Sequence, residues 1–194
     1  MKRLIPLIIL LFPVLAFSQV RILIAYDTQT GNTEKLAQFI AKGATMPGVE
    51  VTLKKMSDVK DETFTTFDGI LVGTPVQWSN MTANTKTLLD RLGAALWKAK
   101  TNGDGRTAGA FCTGGGVAMG KDTARLSIIS ALLTMRFTII GGVDDSGFGT
   151  LGPEATTGPA DPGLSGKELE QGRSFGERFS KMTKQIRSAA EQRK

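Results

Sequence analysis

The sequence predicts an α/β protein built on a doubly wound, five-stranded parallel sheet with helices on both faces. Strand and helix patterns alternate from residue 21 to the end of the chain, which favours parallel strands joined by crossover helices. The 194 residues suffice for one domain with a full core, and 41% of them are hydrophobic. Sheets of this kind bind ligands at the carboxyl ends of strands, where the direction of winding reverses.

The amino-terminal segment stands apart from this pattern. Lys2 and Arg3 precede an apolar run over residues 4–17, and Ala16 and Ser18 place small residues at the two positions that determine signal cleavage. We therefore predict a signal peptide over residues 1–18, one domain over 19–194, and a periplasmic or secreted location. The apolar run is short for a membrane span, and an uncleaved amino-terminal anchor is the alternative.

The hydrophobic patterns of the strands predict which of them lie at the edge of the sheet and which lie at its centre. Strict alternation over 49–53 predicts a strand with one wet face at the sheet edge, and the apolar run over 68–73 predicts a central strand. Glycine and proline over 141–165 predict a long loop. The other predicted elements are strands 21–26, 107–112 and 137–140, helices 32–44, 82–98 and 121–135, and a last helix that opens with Ser165-x-x-Glu168.

The third of these helices is expected to pack on the sheet through four residues. They are Leu126, Ile129, Leu132 and Leu133. The single cysteine, Cys112, ends a predicted strand, where a buried small apolar residue is favoured over a reactive thiol.

The first candidate site is the loop that joins the first strand to the first helix. Thr28, Thr30 and Thr33 supply three hydroxyls, and Gly31 lies just before the helix. Free N–H groups and the positive end of the helix dipole favour an anion there, so this loop can surround a phosphate. It lacks the lysine of triphosphate-binding loops, and a neutral cradle suits a single terminal monoester phosphate. An ordinary turn with one threonine as helix cap is the alternative.

Two further loops follow neighbouring strands. Residues 73–81 hold a Gly-Thr-Pro turn, Trp78 and Asn80, which can offer backbone donors and an aromatic wall to a flavin ring. The alternative makes Asn80 a helix cap and Trp78 a surface cover. Residues 113–120 hold four glycines, which permit close approach to a planar ligand, although a plain flexible loop explains them equally well.

These three loops, in this order, resemble the flavodoxin superfamily, and most closely the WrbA-type NAD(P)H:quinone oxidoreductases. The resemblance implies a flavodoxin-like sheet with strand order 2-1-3-4-5 and FMN as the cofactor. It also implies that Trp97 flanks the site, although a core position on its helix is the alternative. The implied FMN-binding residues are Thr28, Gln29, Thr30, Gly31, Asn32, Thr33, Thr74, Pro75, Val76, Gln77, Trp78, Asn80, Trp97, Thr113, Gly114, Gly115 and Gly116.

The resemblance also implies an oxidoreductase that transfers electrons through flavin N5, with NAD(P)H and a quinone as candidate donor and acceptor, and a dimer or tetramer. A non-catalytic FMN-binding module or electron carrier is the alternative. Two positions depart from the family pattern. Ala118 stands where a histidine usually faces the ring, and Gln77 stands where arginine is common. FMN binding is therefore better supported than quinone reduction.

Composition excludes other chemistry. The chain has no histidine, which removes histidine metal sites, Ser-His-Asp triads and histidine proton relays. A flavin needs no side-chain acid or base, so we predict no catalytic side chain and no metal. The formal net charge is +6, but basic and acidic residues interleave in the last helix. This pattern indicates a solvated helix face and no nucleic-acid partner.

Overall fold

The computed structural model describes residues 19–117, 119–143, 149–158 and 160–192. The predicted signal peptide and Ala118 therefore lie outside the described residues. The strands are β1 (Val20–Tyr26), β2 (Val49–Lys55), β3 (Gly69–Pro75), β4 (Thr107–Gly114), β5 (Thr138–Ile139) and β6 (Glu154–Thr156). The helices are α1 (Asn32–Ala44), α2 (Ala83–Lys98), α3 (Lys121–Thr134) and α4 (Gly166–Glu191), with 3-10 turns at Met56–Asp58 and Asp61–Thr65.

The strands form a parallel sheet in the order β2-β1-β3-β4-β5, which confirms the predicted fold and strand order. β2 lies at the edge and β3 lies inside the sheet, as their hydrophobic patterns predict, and β1 and β4 are the neighbours of β3. The winding reverses between β1 and β3, which pair from Ile22 with Gly69 to Tyr26 with Gly73. The carboxyl ends of β1 and β3 therefore meet at the switch point of the sheet.

Two hydrophobic cores lie on opposite faces of the sheet. One packs α1 and α4 against β1 and includes Ile40, Phe175 and Phe179, all fully buried. The other packs α2 and α3 against β3 and includes Leu92, Ile128 and Leu132. The capping box predicted for the last helix is present, with Ser165 and Glu168 bonded reciprocally. Across the described residues, no helix has the length and apolar character needed to cross a membrane.

The structure corrects the prediction of a loop over 141–165. β6 lies within that segment and pairs in parallel with β4, from Cys112 with Glu154 to Gly114 with Thr156. β5 pairs with the amino-terminal end of the same strand. The fifth position of the sheet is therefore filled by two short strands, β5 and β6, with residues 140–153 between them.

The structure also corrects the buried face predicted for α3. Ile129 and Leu132 are buried as expected, but Leu126 and Leu133 are about half exposed. Lys121 and Arg125 occupy buried positions on the sheet-facing side instead. Hydrophobicity alone predicts the wrong buried face of α3, because paired charged side chains occupy some of its buried positions.

Candidate functional site

The first loop leaves α1 with an open amino-terminal end. Gly31 precedes the helix with φ 88°, a left-handed conformation that favours glycine, and no described side chain caps this end. Helix geometry leaves the first N–H groups without intrahelical acceptors. A Cβ built at Gly31 meets no described atom within 4 Å, so the space beside Gly31, directly before these N–H groups, is open. The helix start has the features of an anion site.

The hydroxyls of this loop are already ordered. The Thr28 hydroxyl accepts the Gly31 N–H at 3.1 Å, and the Thr30 hydroxyl accepts the Asn32 side-chain amide at 2.8 Å. Each of these hydroxyls keeps its own hydrogen for a ligand. Thr33 differs, because it is buried and its hydroxyl lies 2.8 Å from the Thr113 hydroxyl at the end of β4. Gln29 is exposed beside them.

Part of the chain before α4 borders the first loop. The carboxylate of Asp161 accepts the Asn32 amide at 2.7 Å. The Thr157 N–H donates to the Gly114 carbonyl at 2.9 Å, which ties the same region to the third loop. The loops after β1, β4 and β6 therefore meet at one edge of the sheet.

The second loop turns back on itself at its tip. Gln77 and Asn80 exchange backbone hydrogen bonds, and Trp78 and Ser79 between them have φ of 46° and 61°. No described group accepts the N–H of Trp78 or Ser79. The Trp78 side chain is 100% exposed. This loop presents two free backbone donors and an aromatic ring at its rim, while Thr74 at its start is fully buried.

The interpretations of Trp78 as a surface cover and Asn80 as a helix cap are both wrong. A fully exposed ring covers no part of this chain. Thr82 caps α2 by accepting the Thr85 N–H at 3.2 Å, whereas the Asn80 side chain accepts the adjacent Met81 N–H.

The third loop lies beside the second. The Val76 N–H donates to the Thr113 carbonyl at 2.8 Å, and a Cβ built at Gly120 would lie 2.3 Å from the Cα of Ser79. That contact requires glycine at position 120, where φ is 75°. A Cβ at Gly115 meets no described atom within 4 Å, so the surface of this loop is open on one side. Gly114 is buried below it, and Met119 folds over Gly116.

Trp97 is the predicted site residue that the structure does not bring to these loops. It lies in the last turn of α2, whose first turn borders the second loop. Fifteen residues of helix separate Thr82 from Trp97, which corresponds to about 22 Å. The ring is 87% exposed, so neither the flanking position nor the core alternative holds within the single chain.

Burial shifts the pKa of two groups near these loops. It raises the pKa of the Tyr26 hydroxyl to about 12, aided by the bond of this hydroxyl to the Glu34 carboxylate at 2.8 Å. It also raises the pKa of the Cys112 thiol to about 12. Cys112 is fully buried in β4, which supports the interpretation of a small apolar residue rather than a reactive thiol.

Sequence reasoning missed Asp27, which lies between β1 and the first loop. Its carboxylate accepts the Thr28 N–H at 3.0 Å and the Thr82 hydroxyl at 2.6 Å. The signal in the sequence was the position of this carboxylate directly before a loop that suits an anion. Two negative charges repel each other, so an aspartate at this position indicates another role.

Fold and loops together define a doubly wound α/β protein with ligand loops at the switch point of its sheet. The sequence profile described as Flavodoxin matches residues 24–116. A flavodoxin from Clostridium saccharobutylicum is 30% identical over 169 residues, which cover 86% of this chain and 99% of that protein. The chain belongs to the flavodoxin family.

Other relatives extend this result. A flavodoxin from Aquifex aeolicus is 34% identical over 125 residues, which cover 64% of this chain and 66% of that protein, so the match spans just under two thirds of the relative. An NAD(P)H dehydrogenase (quinone) from Bradyrhizobium diazoefficiens is 29% identical over 141 residues, 62% of this chain and 70% of that protein. A WrbA-like flavodoxin structure from Agrobacterium tumefaciens superposes with a TM-score of 0.68 at 19% identity, covering 87% and 99% of the two chains.

The cofactor of the flavodoxin family is FMN, and the residues present fit it. The first loop offers free N–H groups, open space beside Gly31 and two hydroxyls with hydrogens to donate. The second loop offers the free N–H groups of Trp78 and Ser79. The opposing face of the third loop is open at Gly115. A phosphate and a planar ring have complementary partners in these three loops.

Proposed function

We propose that this chain is an exported FMN-dependent oxidoreductase or electron-transfer protein of the flavodoxin family. The observation that carries the FMN assignment is the uncapped start of α1, where free N–H groups lie beside Thr28 and Thr30 and the space next to Gly31 is open. A terminal phosphate is the part of FMN that this site would hold, since its charge suits the helix dipole and its oxygens accept hydrogen bonds.

The ring would lie between the second and third loops. Backbone donors at Trp78 and Ser79 would orient it, and the exposed Trp78 side chain would shield one of its faces from water. FMN supplies hydride or one-electron transfer at its N5 atom when bound. The chain supplies binding, orientation and water exclusion, none of which requires a histidine.

Equilibrium titration tests the FMN assignment. The chain is titrated with FMN and with riboflavin, and quenching of flavin fluorescence is followed. We expect micromolar or tighter FMN binding and weaker riboflavin binding, because riboflavin lacks the phosphate. Replacing Thr28 and Thr30, the two threonines whose hydroxyls keep a hydrogen for a ligand, by alanine should weaken FMN binding by roughly tenfold or more, because hydrogen bonds to a charged group are lost.

Thr45→Ala is the matched control, since Thr45 lies at the opposite end of α1 and its hydroxyl bonds only to the Ala41 carbonyl. It should leave both affinities unchanged. Absence of FMN binding at micromolar concentration would overturn the proposed cofactor. Equal binding of FMN and riboflavin would overturn the phosphate site.

Quinone reduction is the finer part of the proposal. It is supported by the relative named NAD(P)H dehydrogenase (quinone) and by the exposed apolar rim of Trp78, Val117 and Met119, which can admit a planar acceptor. An FMN-loaded chain that oxidises NADH or NADPH with benzoquinone at a steady rate supports an enzyme. An FMN-loaded chain without turnover supports the alternative, an electron carrier or binding module.

Export rests on the pattern of residues 1–18 alone. Expression of the full-length chain in a bacterial host, followed by cell fractionation and amino-terminal sequencing, tests it. We expect periplasmic protein that begins at Gln19. Uncleaved protein in the membrane fraction would favour the anchor.

A further inference from the structure

The proposed function leaves the half-buried carboxylate of Asp27, at the ligand edge of the sheet, without a role. One of its oxygens accepts the Thr28 N–H at 3.0 Å, at the entrance of the first loop. The other accepts the Thr82 hydroxyl at 2.6 Å, at the start of α2. The Asn84 amide approaches both oxygens at 3.3 and 3.4 Å. A single carboxylate therefore joins two separate segments of the chain.

The contacts continue from Thr82 into the second loop. The Thr82 hydroxyl, whose hydrogen goes to Asp27, accepts the Thr85 N–H at 3.2 Å, and the Thr85 hydroxyl donates to the Thr74 hydroxyl at 2.9 Å. Thr74 in turn accepts the Thr82 N–H and donates to the Pro75 carbonyl at 3.0 Å. We call Asp27, Thr74, Thr82 and Thr85 the Asp27 network. It runs from the first loop, which we call the phosphate loop, to Pro75 in the second loop, which we call the ring loop.

Because Asp27 is charged, the direction in which its replacement changes FMN affinity can distinguish an electrostatic role from a structural one. No described lysine or arginine forms an ion pair with Asp27, whose partners are all neutral donors. A carboxylate beside a phosphate site repels the phosphate. If charge were the whole effect, neutralising Asp27 would tighten FMN binding. If the carboxylate holds the loops in place, its removal would weaken binding instead.

We propose that Asp27 is a positioning residue that fixes the phosphate loop and the ring loop in one mutual arrangement, so that a flavin mononucleotide meets both at once. The inference rests on the proposed function, since it concerns the same site. The argument is geometric: the shared acceptor ties the Thr28 N–H to the cap of α2, and the hydroxyls of Thr85 and Thr74 carry that constraint to Pro75.

Titration with riboflavin distinguishes the contributions of the two loops to binding, because riboflavin has the flavin ring but lacks the phosphate. Asp27→Ala and Asp27→Asn are titrated with FMN and with riboflavin by fluorescence. We expect Asp27→Ala to weaken both ligands by roughly tenfold, because bonds to a charged acceptor are lost. Asparagine keeps one acceptor oxygen for the Thr28 N–H and can pair with Thr82 through its amide, so Asp27→Asn should recover most of the affinity.

Asp90→Ala is the matched control, since Asp90 is an exposed aspartate on α2 that pairs with Lys86 away from the loops. It should change neither affinity. Unchanged or tighter FMN binding by Asp27→Ala overturns the proposal, and so does weaker FMN binding with unchanged riboflavin binding, which would confine Asp27 to the phosphate loop. No binding of either flavin by the unmodified chain overturns the proposed function and this inference with it.

A second measurement serves if Asp27→Ala does not fold. Inorganic phosphate is added to the flavin-free chain and to Asp27→Asn, and the amide resonances of Thr82 and Thr85 are followed by NMR. Coupled loops predict shifts at these amides in both proteins, because asparagine can keep the bonds to the Thr28 N–H and to Thr82. Shifts confined to residues 28–34 in both proteins would overturn the coupling.

Discussion

The Asp27 network and the charged residues around Glu154 both tie a loop of the sheet to a neighbouring helix, but they treat charge differently. Glu154 on β6 pairs with Lys121 at 3.0 Å and with Arg125, and Arg125 also pairs with Asp122 at 2.5 Å. We call these four residues the Glu154 cluster. Its charges neutralise one another, whereas Asp27 has only neutral donors among the described residues.

The positions of the two groups suit this difference. The Glu154 cluster borders a pocket of about 610 Å³, but its cations already have protein acceptors, including the Thr156 hydroxyl and the Gly152 carbonyl. It holds β6 against β4. The Asp27 network lies where the proposed ligand enters, and its bonds orient loops that keep free donors. Charged side chains that pair with one another stabilise the fold, whereas loops with unpaired hydrogen-bond donors keep those donors for a ligand.

Breaking the Glu154 cluster should have the largest effect on stability. The side chains of Lys121 and Arg125 are 3% and 4% exposed, so Glu154→Ala leaves two buried cations short of their main anion. We expect a loss of about 2–4 kcal/mol in the free energy of unfolding, measured by urea denaturation. Glu177→Ala, which breaks exposed pairs with Lys181 and Arg173, should cost far less, because solvent screens these pairs. Equal losses would contradict the role given to the cluster.

Breaking the Asp27 network should cost less stability. Thr82→Val removes the hydroxyl that caps α2 and donates to Asp27, and we expect a loss of about 1–2 kcal/mol. Thr82→Ser keeps the hydroxyl and should recover most of it. The same urea titration measures both variants. A valine variant as stable as the unmodified chain, together with an unstable serine variant, would show that the methyl group, rather than the hydroxyl, supports this position.

Sequence reasoning reached the region of β1, the first loop and α1 because its signals are local. The buried strand, the threonines and Gly31 follow one another, and the predicted helix 32–44 coincides with α1. β6 was missed because its three residues carry no strand pattern. Glu154 and Thr156 are held by Lys121 and Glu168, which are distant in sequence. Such contacts form only after the sheet exists.

The same limit explains the misplaced residues of the candidate site. Trp97 was expected at the site from a resemblance, but the length of α2 carries it to the far end of the helix. Asp27 escaped notice because its partner Thr82 is 55 residues away. Motif spacing identifies groups that contact a ligand directly, whereas the groups that position them depend on tertiary contacts.

The smallest expected effect on stability concerns Cys112. The reactivity of its thiol tests how well the Glu154 cluster protects this part of the sheet from local opening. Burial raises the pKa of the thiol from about 9.0 to about 12, so the folded chain holds it in the neutral form at pH 9, while the unfolded chain ionises it by about half. Thiolate is the reactive form. We expect an aromatic disulfide reagent to label the native chain far more slowly than the urea-unfolded chain at the same pH.

The sign of the pH effect follows from the raised pKa. Stability that comes from the neutral thiol is complete below about pH 9 and is lost as the pH rises toward about 12, since the unfolded chain ionises first. The Cys112 sulfur lies 3.6 Å from the Lys121 carbonyl, directly behind the cluster. Glu154→Ala should therefore speed labelling in native buffer, while Thr82→Val, on the other side of the sheet switch point, should leave it nearly unchanged. Equal acceleration by both variants would mean that labelling requires global unfolding of the chain. In that case the Glu154 cluster would not protect the Cys112 region from local opening any more than the Asp27 network does.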